Sequence, residues 1–292
     1  MKQERIVNDF ELERQSVAVI ERQLAGKTRA QTMWALLTGD DEVQTCWQMA
    51  NFVAAQKLSM NDHGRTHAIV ATASALTMLD ILSFSEVKTD IIASGYGDSD
   101  DAALIVLTAM LCHDFGNMIH REDHADTGII LVKPILDRLL PTIYPDPVKC
   151  TRVKSFILSA MYTHHGEPRP ITIEAALVCI ADSTDMTKGR GRVAFDSGSI
   201  TIHSVSALSI ERVEILKGTE KPIELRISMS NSAGIFQVQE ILAPKVRAGP
   251  LASYVDVIAI TASGQENSEE KIVTGIRMCG ARFIPFNESP PS

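Results

Sequence analysis

The chain lacks the marks of several common protein classes. Its five cysteines (Cys46, Cys112, Cys150, Cys179 and Cys279) are odd in number, widely spaced and free of any CxxC pair. That pattern argues against a disulfide framework or a zinc knuckle. Positive charge is in deficit, with 28 Lys and Arg against 36 Asp and Glu and a net charge of -8. Such a chain is a poor non-specific binder of polyanions, so neither a nucleic acid polymer nor a membrane is expected as a partner. The opening MKQERIVNDFELERQ is too polar for a signal peptide. The longest apolar stretch, Ala102 to Cys112, falls short of a membrane span. There is no internal repeat and no low-complexity tract. A reducing cytoplasm is the expected location.

What is present fits an ordinary globular protein. The chain has 292 residues, 45% of them hydrophobic and 22% charged, enough for one large domain or two smaller ones. Helices are expected over Asn8–Lys27 and Thr28–Leu37, broken at Gly26, and over Asp41–Leu58 behind the acidic Asp40 to Glu42. After His67, Ile69, Ala73, Leu76, Leu79 and Leu82 recur at steps of three and four, as on an amphipathic helix. Further helices are expected from Asp98 through Cys112, from Asp123 to Leu140 with a kink at Pro134, from Pro147 to His164, and from a Thr172 cap through Ala181.

The pattern changes near residue 188. A polar, glycine-rich connector, KGRGRVAFDSGS, spans Lys188 to Ser199. Ile223, Leu225, Ile227 and Met229 then alternate with polar residues, as in a half-buried strand. Ser209–Leu216, Tyr254–Thr261 and Lys271–Met278 read as three more strands, and Gly234–Val246 as a helix. The expected fold is mainly α. A helical bundle occupies residues 1–195 and a small α+β domain residues 196–292. Dimerisation is the expected use of the exposed sheet edges, making a homodimer.

Seven of the eight histidines lie between residues 63 and 165: His63, His67, His113, His120, His124, His164 and His165. His63 and His67 are four apart, as are His120 and His124, so each pair can share a helix face. His113-Asp114 closes the most apolar helix, and Asp182 interrupts the run ALVCIAD. Taken singly, each has an ordinary reading: a cap, a surface histidine, or a helix turning to solvent. Together they place imidazoles and carboxylates at the ends of successive helices, which a bundle can gather around one point. Mixed nitrogen and oxygen donors suit manganese, iron, cobalt or zinc.

The ordered set His67, His113-Asp114, His124, His164-His165 and Asp182 resembles the HD superfamily of metal-dependent phosphohydrolases, over about residues 60–190. NDHGRTHAIV resembles both the opening helix of that domain and a cyclic nucleotide phosphodiesterase motif, with Gly64 where the motif has asparagine. HADTGIILVKPIL resembles the next helix of HD-GYP proteins, but EPRP stands where their GYP signature would follow and Asn117 replaces their lysine. The whole pattern most resembles an uncharacterised archaeal-type HD phosphohydrolase group.

The resemblance implies two divalent metal ions, manganese or iron first, with cobalt, nickel, zinc or magnesium as alternatives. It implies His67, His113 and Asp182 on one ion, His124, His164 and His165 on the other, and Asp114 between them. The implied reaction is hydrolysis of a phosphoester or phosphoanhydride bond in a small, nucleotide-like phosphorylated substrate by a metal-bridging hydroxide. His63 or His120 would protonate the leaving oxygen. Lys188 and Arg190, with Arg192, could hold phosphate or simply form a solvated connector. Asp185, three residues after Asp182, could support a ligand histidine. An HD-fold di-iron oxygenase and a non-catalytic nucleotide sensor are the alternative functions. His203 reads as structural.

Overall fold

The computed structural model describes residues 2–187, 202–261 and 275–285. Among the described residues, nine helices build the first part: α1 (Lys2–Gln23), α2 (Thr28–Thr38), α3 (Asp41–Asn51), α4 (Arg65–Phe84), α5 (Asp90–Ala93), α6 (Ser99–Cys112), α7 (His124–Ile143), α8 (Pro147–Tyr162) and α9 (Ile173–Thr184). Their starts follow side-chain chemistry. Asp40 accepts hydrogen bonds from the backbone N–H groups of Glu42 and Val43, Asp146 from those of Val148 and Lys149, and the Thr172 hydroxyl from that of Ala175. Asp98 and Asp101 form a reciprocal capping box on α6. Gly26, at φ +78°, breaks the chain between α1 and α2 as expected, because that left-handed backbone suits glycine. The segment expected as one helix over Asp41–Leu58 widens into a π turn at Phe52–Lys57. α7 runs on through Pro134.

α6 and α9 form the middle of the bundle. Every residue from Asp101 to Cys112 is buried, as is every residue from Ile173 to Ala181. Helices apolar on all sides must be enclosed on all sides, and α4 lies against α1, α6 and α9. α4 itself is long and apolar enough to cross a bilayer, but 56% of its apolar window is buried inside the protein. The cysteines Cys46, Cys112, Cys150 and Cys179 are buried and unpaired, and burial raises the thiol pKa of Cys46 and Cys179 to about 11.

The second part is a five-stranded sheet in sequential order, built from β1 (Ile210–Lys217), β2 (Ile223–Met229), β3 (Val255–Thr261), β4 (Gly275–Cys279) and β5 (Arg282–Pro285). β2 and β3 are parallel and the other neighbours antiparallel. The β2–β3 crossover carries the expected helical segment as a 3₁₀ turn, a π turn at Gln237–Leu242 and a short helix at Ala243–Ala248. Ile223, Leu225, Ile227 and Met229 are fully buried, as their alternation requires. β5 was not expected, because a four-residue edge strand with arginine and proline carries no alternation signal.

The sheet leans on α4 through β1 and β2, and the crossover leans on α9. One continuous buried cluster extends from Ile20 to Met278. The boundary expected at residues 195 and 196 lies outside the described residues, as do Lys188, Arg190, Arg192 and the side chain of His203.

Candidate metal centre

The seven histidines and aspartates proposed as ligands come together at one end of the bundle. His67 sits in the first turn of α4, and His113 and Asp114 directly follow α6. His124 opens α7, His164 and His165 follow α8, and Asp182 lies near the end of α9. Local backbone detail brings these ends close. An added Cβ on Gly116 would meet the His124 carbonyl oxygen at 1.9 Å, so only glycine lets the Phe115–Met118 turn approach α7. Gly64 is explained the same way, because a Cβ there would lie 2.9 Å from Asn51 Cβ. Asp62 accepts hydrogen bonds from the backbone N–H groups of Gly64 and His67 and so fixes the entry to α4.

The hydrogen bonds define the state of four imidazoles. Nδ1 of His113 donates to Met110 O at 2.7 Å, Nδ1 of His124 to Arg121 O at 2.8 Å, and Nδ1 of His164 to Met161 O at 2.6 Å. Nδ1 of His67 lies 2.7 Å from Asp185 Oδ2. Carbonyl and carboxylate oxygens only accept, so Nδ1 carries the proton and a neutral ring points its lone pair through Nε2. These Nε2 atoms converge: His67 and His113 are 3.3 Å apart, and His124 and His164 3.2 Å apart. His165 Nε2 lies 2.7 Å from His124 Nε2. Nitrogens brought this close need positive charge between them, either a proton, as on His113, or a metal ion.

Asp114 stands in the middle. Its Oδ2 is 3.3 Å from His113 Nε2 and 3.6 Å from His67 Nε2, while its Oδ1 is 3.5 Å from His124 Nε2. Asn117 Nδ2 donates to Oδ1 at 2.7 Å. Oδ2 is buried with no hydrogen-bond partner, a loss of about 1–3 kcal/mol unless a ligand satisfies it. Three groups of ligand atoms each lie within 4.8 Å of one another: His67 with His113 and Asp114, His113 with His164 and Asp182, and His124 with His164 and His165. The donor set fits divalent metal ions, whose positive charge would satisfy both the crowded lone pairs and the orphaned carboxylate oxygen.

The electrostatics follow the same division. Burial lowers the His113 pKa, but the Asp114 and Asp182 carboxylates outweigh it and raise the value to about 10. Burial would raise Asp114, yet His113 and His63 hold it well below the usual carboxylate range. Asp182 is held well below that range against burial, chiefly by Lys245. On the other side, burial and neighbouring His165 keep His164 well below the usual imidazole range. Burial, then Lys245, takes His165 down to about 3.

The other expected residues fall differently. His63 is buried, with Nδ1 2.7 Å from Asn61 O and its ring centroid 5.9 Å from that of His67. His120 is exposed, and its Nδ1 accepts from the Glu122 backbone N–H. Among the described residues no hydrogen bond joins His120 to the ligand set, because the turn before α7 directs His124 inward instead. Asp185 does reach a ligand histidine, His67. Two neighbours were not anticipated. Lys245 Nζ lies 2.5 Å from Asp182 Oδ2, and Arg121 Nη1 lies 3.1 Å from His124 Nε2. Arg121 stood only three residues before an expected ligand, the one available sequence signal, whereas Lys245 is 63 residues from Asp182.

Comparison with known proteins agrees with this picture. The HD domain family matches residues 87–187, a span that holds every proposed ligand except His67. Uncharacterized protein MJ1020 of Methanocaldococcus jannaschii is 39% identical over 223 residues, 76% of this chain and 86% of that protein. No solved structure matches. A relative this similar over most of its length extends the likeness beyond the matched span, and the chain belongs to the HD-domain proteins, in a group with this uncharacterised archaeal relative.

Proposed function

We propose that the protein hydrolyses a phosphoester or phosphoanhydride bond in a small, nucleotide-like substrate, with two divalent metal ions held by the histidine and aspartate set. The observation that carries this reading is Asp114, whose two oxygens face different histidine groups while the buried Oδ2 lacks a hydrogen bond. His67, His113 and Asp182 would hold one ion and His124, His164 and His165 the other. Such ions lower the pKa of bound water toward neutrality and hold phosphoryl oxygens.

The chain's own groups prepare the site. Main-chain carbonyls and Asp185 hold the imidazoles in the ligand tautomer. Asn117 fixes the rotamer of Asp114. His63, beside His67, would give a proton to the leaving oxygen. A pocket opens beside the loop that carries His63, lined by Gln48 and Gln56 together with Glu13, Asp62 and Arg65. The Gln48 and Gln56 amides would offer paired donors and acceptors of the kind that match a nucleobase edge.

The test is metal analysis followed by a phosphatase and phosphodiesterase panel with manganese, iron, cobalt, nickel and magnesium. The panel should hold nucleoside monophosphates, cyclic mononucleotides, cyclic dinucleotides, dinucleoside polyphosphates and sugar phosphates. Phosphate release from a nucleotide by the metal-loaded protein is expected. Oxygen consumption by the iron form without phosphate release would overturn the proposal.

A further inference from the structure

Two cations lie against the ligand set, and no role is yet assigned to either. Lys245 comes from the short crossover helix Ala243–Ala248 of the sheet region. Its side chain is only 11% exposed, and its ammonium meets Asp182 Oδ2 at 2.5 Å. Packing enforces that reach. A Cβ on Gly249 would meet Pro170 Cγ at 2.8 Å, and one on Gly166 would lie 3.9 Å from Lys245 Cγ. The crossover helix is therefore seated on the segment that follows His164 and His165. An ammonium has three donors, so one bond to Asp182 leaves two for another acceptor.

Arg121 approaches from the opposite side. Its Nη1 lies 3.1 Å from His124 Nε2, 3.3 Å from Asn117 Oδ1 and 4.0 Å from Asp114 Oδ1. This guanidinium supplies positive charge next to the His124 ring nitrogen. A metal ion on that nitrogen would repel it. The side chain is 31% exposed and can swing aside while staying at the rim of the site. Arg121 thus borders the all-histidine side of the centre, and Lys245 lies against Asp182 on the carboxylate side.

We infer that Lys245 and Arg121 form an oxyanion clamp that binds the non-bridging oxygens of a substrate phosphoryl group, and that the sheet region completes the centre by supplying Lys245. This rests on the phosphohydrolase reading above and extends it. Asp182 would use one oxygen toward His67 and His113 and the other to hold Lys245 in place. An arginine and a lysine together suit a tetrahedral dianion, since the guanidinium offers a planar fork and the ammonium a point charge.

The experiment is calorimetric titration of the metal-saturated full chain with inorganic phosphate, with metal content measured on the same samples. Lys245→Met and Arg121→Met should each weaken phosphate binding about ten- to a hundredfold, the worth of one charge-assisted hydrogen bond. Both should keep the wild-type metal content, and Lys245→Arg should recover most of the affinity. Unchanged phosphate affinity in Lys245→Met overturns the clamp. Loss of metal from that variant also overturns it, making Lys245 a support for Asp182 only. If Lys245→Met does not fold, Lys245→Gln carries the same comparison. Phosphate binding that depends on Lys245, without hydrolysis of any nucleotide, would sink the proposed activity and leave the clamp standing.

Discussion

The two sides of the metal centre are built differently. On one side His67 and His113 face Asp182, and Asp185 backs His67, so carboxylates surround the nitrogen donors. On the other, His124, His164 and His165 bring only imidazoles of their own, anchored largely by main-chain carbonyls and bordered by Arg121. Asp114 gives one oxygen to each side. Negative charge strengthens a site for a divalent cation, and an adjacent guanidinium weakens one. With one ion on each side, as proposed, the carboxylate side should bind its ion more tightly, and the histidine side should exchange its ion and meet the proposed anionic substrate.

The strongest way to break this contrast is to remove what the sides share. Asp114→Ala should lose ions from both sides and abolish turnover, measured by metal content and phosphate release on one preparation. His124→Ala should be selective, keeping about one ion per chain while turnover collapses. Loss of both ions there would mean that the sides are not separable. A smaller effect is expected from Asp185→Asn, which replaces the carboxylate behind His67. It should weaken the tighter ion about ten- to a hundredfold and leave the weaker one unchanged in a metal titration.

Acidity separates the sides further. A group with a raised folded pKa keeps its proton until the pH passes that value. His113, raised to about 10, is therefore protonated in the metal-free protein at pH 8, whereas His165, lowered to about 3, is neutral. Filling the carboxylate side at pH 8 should displace the His113 proton, whereas His165 on the histidine side has none to lose. Calorimetry in two buffers of different ionisation enthalpy reads this directly; equal release from both steps would count against the division. The smallest effect is a control away from the centre. Asp98→Ala removes the α6 cap and should cost about 1 kcal/mol of stability in denaturant, with metal content intact.

Much of the molecule was legible in the sequence, for physical reasons. Capping aspartates and apolar periodicity located the helices, and histidines or aspartates ending apolar helices located the side chains that gather at the candidate centre, because charged groups at the edge of a core need partners. Asp185 was legible because it lies one helical turn beyond Asp182. His120 misled, since spacing four from His124 places two residues on one face only if both lie on a helix, and α7 begins at His124. Lys245 was illegible, because its reach to Asp182 depends on how the crossover helix seats on the bundle. The π turn at Phe52–Lys57 likewise reflects tertiary fit, with ordinary helix-compatible residues within it.

The most direct test of a centre shared through Asp114 is electron paramagnetic resonance of the manganese-loaded protein, alongside its metal content. Two manganese ions per chain with an exchange-coupled spectrum, lost in Asp114→Ala, is the expected result. One manganese per chain, or two with the spectrum of isolated ions, would contradict it.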